Sequence, residues 1–223
     1  MRLVSVNVGR ELPIENGKRS GVTGIFKRPS RGPVELTASG LVGDAICDTE
    51  NHGGPDQAVY VFGSPDYEWW SENLGRALPP GTFGENLTIA GFESAGANIG
   101  DRLRIGAEVV LEVTAPRIPC VTLAARMGDP AFLRRFRWAE RPGVYCRVLK
   151  EGRVEVGDSV TLQRYRGEIV TATEVFRNSF EPDGSEGTIR RHLAAPIAVR
   201  ARVEKEKQLE EAMARRGGAQ VED

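Results

Sequence analysis

Residues 99–114 read IGDRLRIGAEVVLEVT and contain two predicted strands, Arg102–Ile105 and Glu108–Thr114, in which hydrophobic side chains recur at every second position. A Gly100-Asp101 turn stands immediately before the first of these strands. The segment Val156–Leu162, VGDSVTL, repeats this order of a Gly-Asp turn followed by an alternating strand. The repetition favours a meandering antiparallel barrel. A Gly-Asp pair is also a good enough turn to recur without such a fold.

Short strands are predicted on both sides of this stretch, from the N-terminus to about residue 163. Seven further segments have strand composition or period: Leu3–Val8, Val22–Lys27, Val34–Thr37, Gln57–Phe62, Asn86–Ile89, Val144–Leu149 and Ser159–Gln163. Two helices interrupt them, one over Ser64–Gly75 and one that begins at Asp129 and runs through Phe136. So many short strands with so few helices predict a mostly β fold, a barrel rather than a parallel doubly wound sheet.

The composition changes near residue 164, where helical spacing replaces strand alternation. Thr171-Ala-Thr-Glu174 matches a capping box, a short helix is predicted over Thr188–Ala194, and a longer charged helix runs from Pro196 to about Arg215. We therefore expect a β-barrel domain over residues 1–163 and a three-helix C-terminal module over residues 164–223, with frayed final residues. Three helices this short cannot bury a core of their own, so they should dock on the barrel. His192 falls among charges and is predicted to lie on the solvated surface.

The composition excludes several classes of protein. Of the 223 residues, 40% are hydrophobic and 27% charged, as in an ordinary soluble globular protein. Thirty basic and 31 acidic side chains give a net charge of −1 without a basic stripe, which argues against nucleic acid as a partner. No apolar run approaches the roughly 20 residues that span a bilayer, so no membrane association is expected. Three cysteines are too few for a disulfide framework and favour a cytoplasmic location.

Five segments combine glycine or proline with ionisable or nucleophilic side chains, as functional loops often do. They are Val22–Lys27, Gly40–Asp44, His52–Ala58, Phe83–Leu87 and Pro116–Cys120. In the last of them, Arg117 stands three residues before Cys120, and a nearby guanidinium favours the reactive thiolate form of a cysteine. A buried structural cysteine in a turn is the competing interpretation. Cys146 is in register with core positions and is predicted to be buried, whereas Cys47 cannot be placed.

Two of these loops carry candidates for acid–base chemistry. His52 lies on a glycine-rich loop, and Asp56 stands four residues later, where it could orient the imidazole or simply cap a turn. Glu85 and Asn86 place a carboxylate and an amide at the mouth of a predicted strand. The sequence holds no CxxC or HxxxH pair, which argues against zinc. It also lacks the spacing of a phosphate loop or a dinucleotide fingerprint.

Taken together and in this order, the five segments resemble the MOSC domain, the family named for the C-terminal region of molybdenum cofactor sulfurases. The resemblance is to its YiiM-like, hydroxylaminopurine-resistance branch and extends over about residues 1–163. The motifs that carry it are TGIFK (Thr23–Lys27), GLVGD (Gly40–Asp44), HGGPDQA (His52–Ala58), FGENL (Phe83–Leu87) and PRIPC (Pro116–Cys120). The C-terminal helices are similar to the three-helix module of this branch. Pro29–Pro33 departs from the family pattern, which leaves access to the site open.

The resemblance implies a β-barrel related to the barrel domain of pyruvate kinase and a molybdenum cofactor (molybdopterin) with Cys120 as the metal ligand. It also implies cofactor binding at six positions: Thr23, Lys27, Gly53, Gly54, Asn86 and Arg117. On this view Lys27 and Arg117 meet the cofactor's phosphate. Protons reach the departing oxygen from His52, oriented by Asp56, or from Glu85. The expected activity is removal of oxygen from N-hydroxylated purines or amines.

The expected partners follow from what the chain lacks. It carries no flavin or nucleotide fingerprint and no four-cysteine iron–sulfur set, so a separate electron-donor reductase is expected. Two other classes of function stay open. One is a sulfur carrier with a persulfide on Cys120, received from a pyridoxal-phosphate desulfurase; the other is a module that binds cofactor or substrate without turnover. The sequence leaves the oligomeric state open, with a homodimer as one expectation.

Overall fold

The structure, a computed structural model, describes residues 1–17, 21–49 and 53–219, the last four as backbone only. These residues form thirteen strands: β1 (Arg2–Val8), β2 (Leu12–Pro13), β3 (Val22–Thr23), β4 (Arg28–Pro29), β5 (Val34–Thr37), β6 (Gly40–Leu41), β7 (Val59–Gly63), β8 (Leu87–Ala90), β9 (Arg102–Ile105), β10 (Val109–Pro116), β11 (Val144–Lys150), β12 (Gly152–Val154) and β13 (Val160–Gln163). The fold is therefore dominated by β-structure, as predicted.

Eight of these strands form one strongly curved sheet in the order β13-β9-β10-β11-β7-β8-β1-β4. All neighbours are antiparallel except β7 and β8, which run parallel. The strand ladder does not close into a complete barrel. Strand β1 nevertheless meets the segment just before β13, because Arg2 bridges Ser159 and the Leu3 amide donates to the Asp158 carbonyl at 2.9 Å. The predicted barrel architecture is thus confirmed, although the ladder of paired strands is not continuous around the barrel.

The described residues also form six α-helices. They are α1 (Ser64–Leu74), α2 (Val121–Met127), α3 (Phe132–Ala139), α4 (Ala172–Asn178), α5 (Glu186–Ala194) and α6 (Val199–Ala219). Helix α1 ends at Gly75, whose φ of 63° is the left-handed conformation that favours glycine at a helix C-terminus. The side chain of Thr171 accepts the Glu174 amide at 3.0 Å, so the capping box predicted from the sequence is present.

The interior is divided between an aliphatic cluster inside the curved sheet and an aromatic cluster beside it. The aliphatic cluster collects inward-facing residues of the sheet, including Leu111 and the predicted core residue Cys146, which is confirmed as buried. The aromatic cluster packs Trp70 of α1 against Phe83, Phe132 and Phe136. It holds α1, α3 and the Phe83 loop together at one side of the sheet.

The C-terminal helices pack on this sheet through apolar contacts and backbone hydrogen bonds. The Ala172 amide donates to the Ala97 carbonyl at 2.8 Å, and the Ala198 amide donates to the Thr114 carbonyl at 3.2 Å. Ile197 lies in the aliphatic cluster of the sheet. The prediction of a solvated His192 is wrong: the residue is 2% exposed, and its Nε2 lies 3.0 Å from Glu174 Oε1. Helix α6 packs against α5, and Glu174 of α4 contacts the imidazole; local sequence does not reveal either contact.

Two other sequence-based predictions are corrected by the structure. The strand predicted over Val22–Lys27 is paired only at Val22–Thr23, because the rest of the segment wraps around a cavity instead of joining a sheet. Helix α2 was not predicted, although Gly128 closes it with a left-handed φ of 68°. This helix begins at the residue that follows Cys120, so the missed element is the one that carries the candidate nucleophile.

Candidate functional site

An open cavity lies beside the parallel pair β7 and β8, with about 740 Å³ of empty space counted out to its mouth. A concave site lined by several chain segments is the usual setting for a small molecule or cofactor. Six residues that the sequence singled out share its wall: Thr23, Lys27, Gly53, Asn86, Arg117 and Cys120. They come from four separate segments of the chain, so the fold brings together most of the residues that the motifs identified.

One wall of the cavity depends on a close approach of two loops. A Cβ atom at Gly24 would lie 1.9 Å from the carbonyl oxygen of Ala45, so only glycine lets the Val22–Lys27 segment contact the loop that follows Gly43. Gly84, with a φ of 77°, similarly lies against Ile25. Both glycines belong to motifs that carried the family resemblance. Gly24 brings backbone close to backbone, and Gly84 leaves room for the Ile25 side chain.

Lys27, Asp44 and Asn86 form a buried polar network in the wall. The Lys27 ammonium donates to both carboxylate oxygens of Asp44, with side chains only 8% and 5% exposed. Asp44 also accepts the Asn86 amide at 2.8 Å and the Gly9 backbone amide at 2.7 Å. Burial lowers the pKa of Lys27, and the Asp44 carboxylate opposes that shift. The network holds the lysine at the cavity while neutralising much of its charge.

Arg117 is the second cation at the cavity and is 4% exposed. Its Nη1 donates to the carbonyl of Phe83, and its guanidinium carbon lies 5.3 Å from the ring centre of Tyr60. Burial opposes its charge, but the pKa of Arg117 is raised overall by the acidic groups of Tyr145, Tyr60 and Cys120. Its Nε is buried and has no hydrogen-bond partner within the described part of the chain. This guanidinium therefore stays charged and keeps one donor unused.

Cys120 lines the cavity as the residue immediately before helix α2, with an extended backbone, φ −130° and ψ 169°. It is partly exposed and not in a disulfide. Cys120 contributes to the raised pKa of Arg117, so the cysteine lies close enough to the guanidinium to interact with it electrostatically. The geometry gives a nucleophile or soft metal ligand that is open to a bound molecule.

Cys47, which the sequence could not place, lines the same cavity. Its Sγ lies 3.9 Å from Glu11 Oε2. Burial, together with the Glu11 carboxylate, raises the pKa of Cys47, so this thiol resists ionisation. The two cysteines of the cavity therefore differ in chemistry: one lies beside a cation and the other beside an anion.

Glu85 lies behind the cavity and is fully buried. Its Oε1 accepts the Tyr67 hydroxyl at 2.6 Å, the Gly81 amide at 2.6 Å and the Thr88 hydroxyl at 2.9 Å. Burial raises the pKa of Glu85. These bonds fix the loop whose Phe83 carbonyl receives Arg117, so the carboxyl supports the wall from behind.

Asp56 also lies outside the cavity wall. Its carboxylate accepts the Val199 backbone amide at 2.6 Å and binds Arg147 at 2.9 Å, at the start of helix α6. Gly54 precedes a single 3-10 turn over Pro55–Gln57 and is not among the lining residues, whereas its neighbour Gly53 is. His52 lies outside the described residues, so its predicted role is unaffected by the geometry.

Three residues of the cavity wall were not found by sequence reasoning, namely Asp44, Tyr60 and Tyr145. Asp44 stood in a quoted motif, and its position after a glycine turn was the available signal. The two tyrosines sit in β7 and β11, where a tyrosine reads as ordinary strand composition. Only the pairing of Tyr60 with Tyr145 across neighbouring strands shows that both rings face Arg117.

Comparison with known proteins gives one family and several relatives. The model of the MOSC domain family matches residues 48–161. YflK of Bacillus subtilis, an uncharacterized protein, is 40% identical over 160 residues, 72% of each chain. A protein of Gibberella moniliformis named "Reductase" is 35% identical over 170 residues, which make up 72% of this chain and 29% of that protein. This chain therefore spans less than a third of the fungal relative.

Among solved structures, YiiM from Geobacillus stearothermophilus superimposes with a TM-score of 0.75 at 25% identity. The superposition covers 93% of this chain and 98% of the YiiM chain. The similarity therefore includes the C-terminal helices as well as the curved sheet.

Proposed function

This chain belongs to the MOSC domain family, and on that premise we propose that it is a molybdenum cofactor-dependent reductase that removes oxygen from N-hydroxylated purines and related amines. The observation that carries the proposal is the cavity whose wall is shared by the partly exposed Cys120 and the buried Arg117. The reaction consumes two electrons and two protons, converting R–NH–OH to R–NH2 and water.

The donors in the cavity fit the proposed cofactor. Cys120 offers a thiolate, the soft ligand that molybdenum accepts beside dithiolene sulfur. Arg117 offers a permanent charge and an unused Nε–H for the anionic phosphate, with Lys27 as the second cation. The described residues bring no three His, Cys, Asp or Glu side chains into a metal cluster. Within that part of the chain, a bound metal would rely on Cys120 and the cofactor.

The protein's own contribution is to bind and orient. When bound, the molybdenum supplies the two-electron chemistry at the N–O bond. Thr23 and Asn86 lie where they can meet the polar edge of a pterin, and the Asp44 carboxylate fixes both Asn86 and Lys27. His52 is proposed to deliver the proton to the departing oxygen, a role that rests on its motif. For Glu85 and Asp56 we propose positioning roles, since their carboxylates are bound to groups outside the cavity.

A separate reductase is proposed as the electron donor. The chain has no nucleotide or flavin fingerprint of its own, and the fungal relative named as a reductase extends far beyond the matched region.

Among the described helices, none is both long and apolar enough to cross a membrane.

Metal analysis tests this proposal. The protein is produced in a molybdenum-replete host, purified without air and compared with Cys120→Ala and Cys47→Ala. We expect about one molybdenum per chain in the wild type and in Cys47→Ala, and little in Cys120→Ala. Equal metal content in all three proteins would contradict the assignment of Cys120. Loaded protein that fails to reduce hydroxylaminopurine with a chemical electron donor would contradict the assigned activity.

The partial exposure of Cys120 in an open cavity also favours a second candidate, a sulfur carrier. A pyridoxal-phosphate desulfurase would place a persulfide on Cys120, and the Arg117 charge would stabilise it. Intact-mass analysis after desulfurase treatment decides this candidate. A gain of about 32 Da that is absent in Cys120→Ala supports it, and no gain excludes it.

A further inference from the structure

Strand β11 carries a cavity tyrosine that the proposed mechanism does not use. Tyr145 lines the cavity and is partly exposed, as is Cys120. Its backbone carbonyl accepts the Thr114 hydroxyl at 3.1 Å, but its own hydroxyl forms no hydrogen bond with another described residue. The neighbouring Tyr60 is 3% exposed and donates its hydroxyl to the Pro142 carbonyl at 2.7 Å. Of these two tyrosines, Tyr145 is therefore the one that can offer its hydroxyl to a bound molecule.

Strand pairing places Tyr145 beside the segment that carries the cavity's arginine. Tyr145 is the Cα partner of Tyr60 on β7 and of Ala115 on β10. Residues paired directly on neighbouring strands share a face of the sheet, and the ring centres of Tyr145 and Tyr60 are 5.1 Å apart. Arg117 follows Ala115 by two residues, and its guanidinium carbon lies 5.3 Å from the Tyr60 ring centre. The two rings and the guanidinium therefore form one continuous part of the cavity wall.

The electrostatics of this part of the wall suit Tyr145 to donate a proton. Burial raises the pKa of the Tyr145 hydroxyl, the Arg117 guanidinium opposes that shift, and Cys120 adds to it. The hydroxyl therefore keeps its proton at neutral pH. Once the proton has left, the negative charge of the tyrosinate is stabilised by the guanidinium. The raised pKa does not prevent donation, because an amine nitrogen that has gained an electron pair is a much stronger base than tyrosinate.

We propose that Tyr145 is a catalytic residue whose hydroxyl donates a proton to the nitrogen of the bound N-hydroxylated substrate. The proposal rests on the reductase function proposed above and supplies the second of its two protons. As the N–O bond breaks, the oxygen leaves with the bonding pair, takes the proton assigned to His52 and departs as water. The nitrogen gains two electrons from the donor reductase, and its new N–H bond forms with the proton of Tyr145. The tyrosinate then recovers a proton from water at the mouth of the cavity.

The substitution Tyr145→Phe removes the hydroxyl alone, and Tyr165→Phe is its matched control. Tyr165 is not among the residues that line the cavity, and its backbone amide donates to Asp101 at 2.8 Å. Because the Tyr145 hydroxyl binds no other described residue, its removal costs the folded protein little. We expect both variants to keep the molybdenum content of the wild type and a Tm within about 2 °C of it.

Two measurements are made on the wild type and both variants. Steady-state reduction of hydroxylaminopurine by the loaded protein uses a chemical electron donor, and calorimetry follows binding of hydroxylaminopurine to the protein as purified. We expect Tyr145→Phe to lower kcat at least about a hundredfold. Binding should weaken by only about three- to tenfold, the effect of one lost hydrogen bond. Tyr165→Phe should match the wild type in both measurements.

A more acidic tyrosine separates proton donation from a structural role. Fluorotyrosine in place of Tyr145 keeps the hydroxyl and lowers its pKa. We expect it to retain most of the wild-type kcat and to move the alkaline fall in kcat to lower pH. A packing role of the ring would leave the pH profile unchanged.

Several outcomes would overturn the proposal. An unchanged kcat in Tyr145→Phe would do so, as would an equal loss of kcat in Tyr165→Phe or a pH profile that fluorotyrosine does not move. The calorimetry distinguishes this failure from failure of the reductase function. If the wild type reduces nothing but binds hydroxylaminopurine more tightly than Tyr145→Phe, the reductase function is refuted and the contact of Tyr145 with the substrate is supported. A wild type that neither binds nor reduces this compound would refute both.

Discussion

The Asp44→Asn substitution removes the negative charge at the centre of the buried polar network in the cavity wall. In the folded protein the Asp44 carboxylate accepts from Lys27, from the Asn86 side chain and from the Gly9 backbone. Asparagine has nearly the same shape but only one side-chain oxygen that can accept hydrogen bonds. Its NH2 group would face N–H groups that are themselves donors, so hydrogen bonds would be lost. In the variant, the Lys27 ammonium would be buried without a carboxylate in hydrogen-bonding contact.

The cost follows from the burial of the pair. Removing one partner of a buried ion pair destabilises a protein by about 3–5 kcal/mol, because the remaining charge is left unpaired in a poorly solvated place. For a domain of this size, 1 kcal/mol corresponds to about 2–4 °C in Tm. We therefore expect Asp44→Asn to lower the Tm by roughly 6–20 °C at pH 7.

Thermal unfolding followed by circular dichroism measures the effect, with Asp129→Asn as a matched control. Asp129 pairs with Arg135 at 3.6 Å, but the two side chains are 31% and 56% exposed. An exposed pair contributes about 0–1 kcal/mol, so the control should shift the Tm by a few degrees at most. A fall in Asp44→Asn no larger than that of the control would refute the assignment of Asp44 as the buried counter-charge.

The pH dependence gives an independent check. Burial lowers the pKa of Lys27, and the Asp44 carboxylate raises it, so the variant should lower that pKa further. The unfolded chain then binds a proton that the folded variant has released, and stability rises with pH through this range. The deficit of Asp44→Asn should therefore shrink as the pH approaches 10.5, the ordinary value for lysine. A deficit independent of pH would indicate lost hydrogen bonds rather than an unpaired charge.

Three further predictions concern groups outside the cavity. Burial raises the pKa of Glu85, so the charged carboxylate destabilises the folded protein at high pH. We expect Glu85→Gln to raise the Tm by about 2–4 °C at pH 8 and by less at pH 5. A lower Tm at both pH values would contradict this. Burial lowers the pKa of His192 below 6.5, so the wild-type protein should lose stability as the pH falls through that value. His192→Gln should lose less stability over the same pH range. Parallel curves of stability against pH for the two proteins would show that the histidine does not titrate in this way. Asp56→Ala removes the carboxylate that binds Arg147 and the Val199 amide; limited proteolysis should cut the helices beyond residue 163 several times faster, and an unchanged digestion pattern would refute the anchoring role.

The strand content and the main motif positions were predictable from sequence because both depend on local patterns. Strand β9 runs over the predicted Arg102–Ile105, and β5 over the predicted Val34–Thr37. The motifs of the MOSC domain, read in order, were enough to identify the family. Alternation, turn residues and motif spacing are carried by neighbouring residues, so no tertiary information is needed to read them.

Which charged groups lie in the site, and how they pair, could be determined only from the tertiary structure. Lys27 and Arg117 were named as cations from sequence, but nothing local shows that Asp44 neutralises one while the other keeps a spare donor. The chemical contrast between Cys47 and Cys120 depends on which charge lies beside each thiol.

Sequence by itself therefore determined the β-rich fold class, the family and the segments that form the site. Only the tertiary structure decided which carboxylates reach the cavity: it placed Glu85 behind the wall and Asp56 at the start of α6. The physical reason is that charge pairing and burial depend on contacts between distant segments, whereas strand period and turn chemistry depend on adjacent residues.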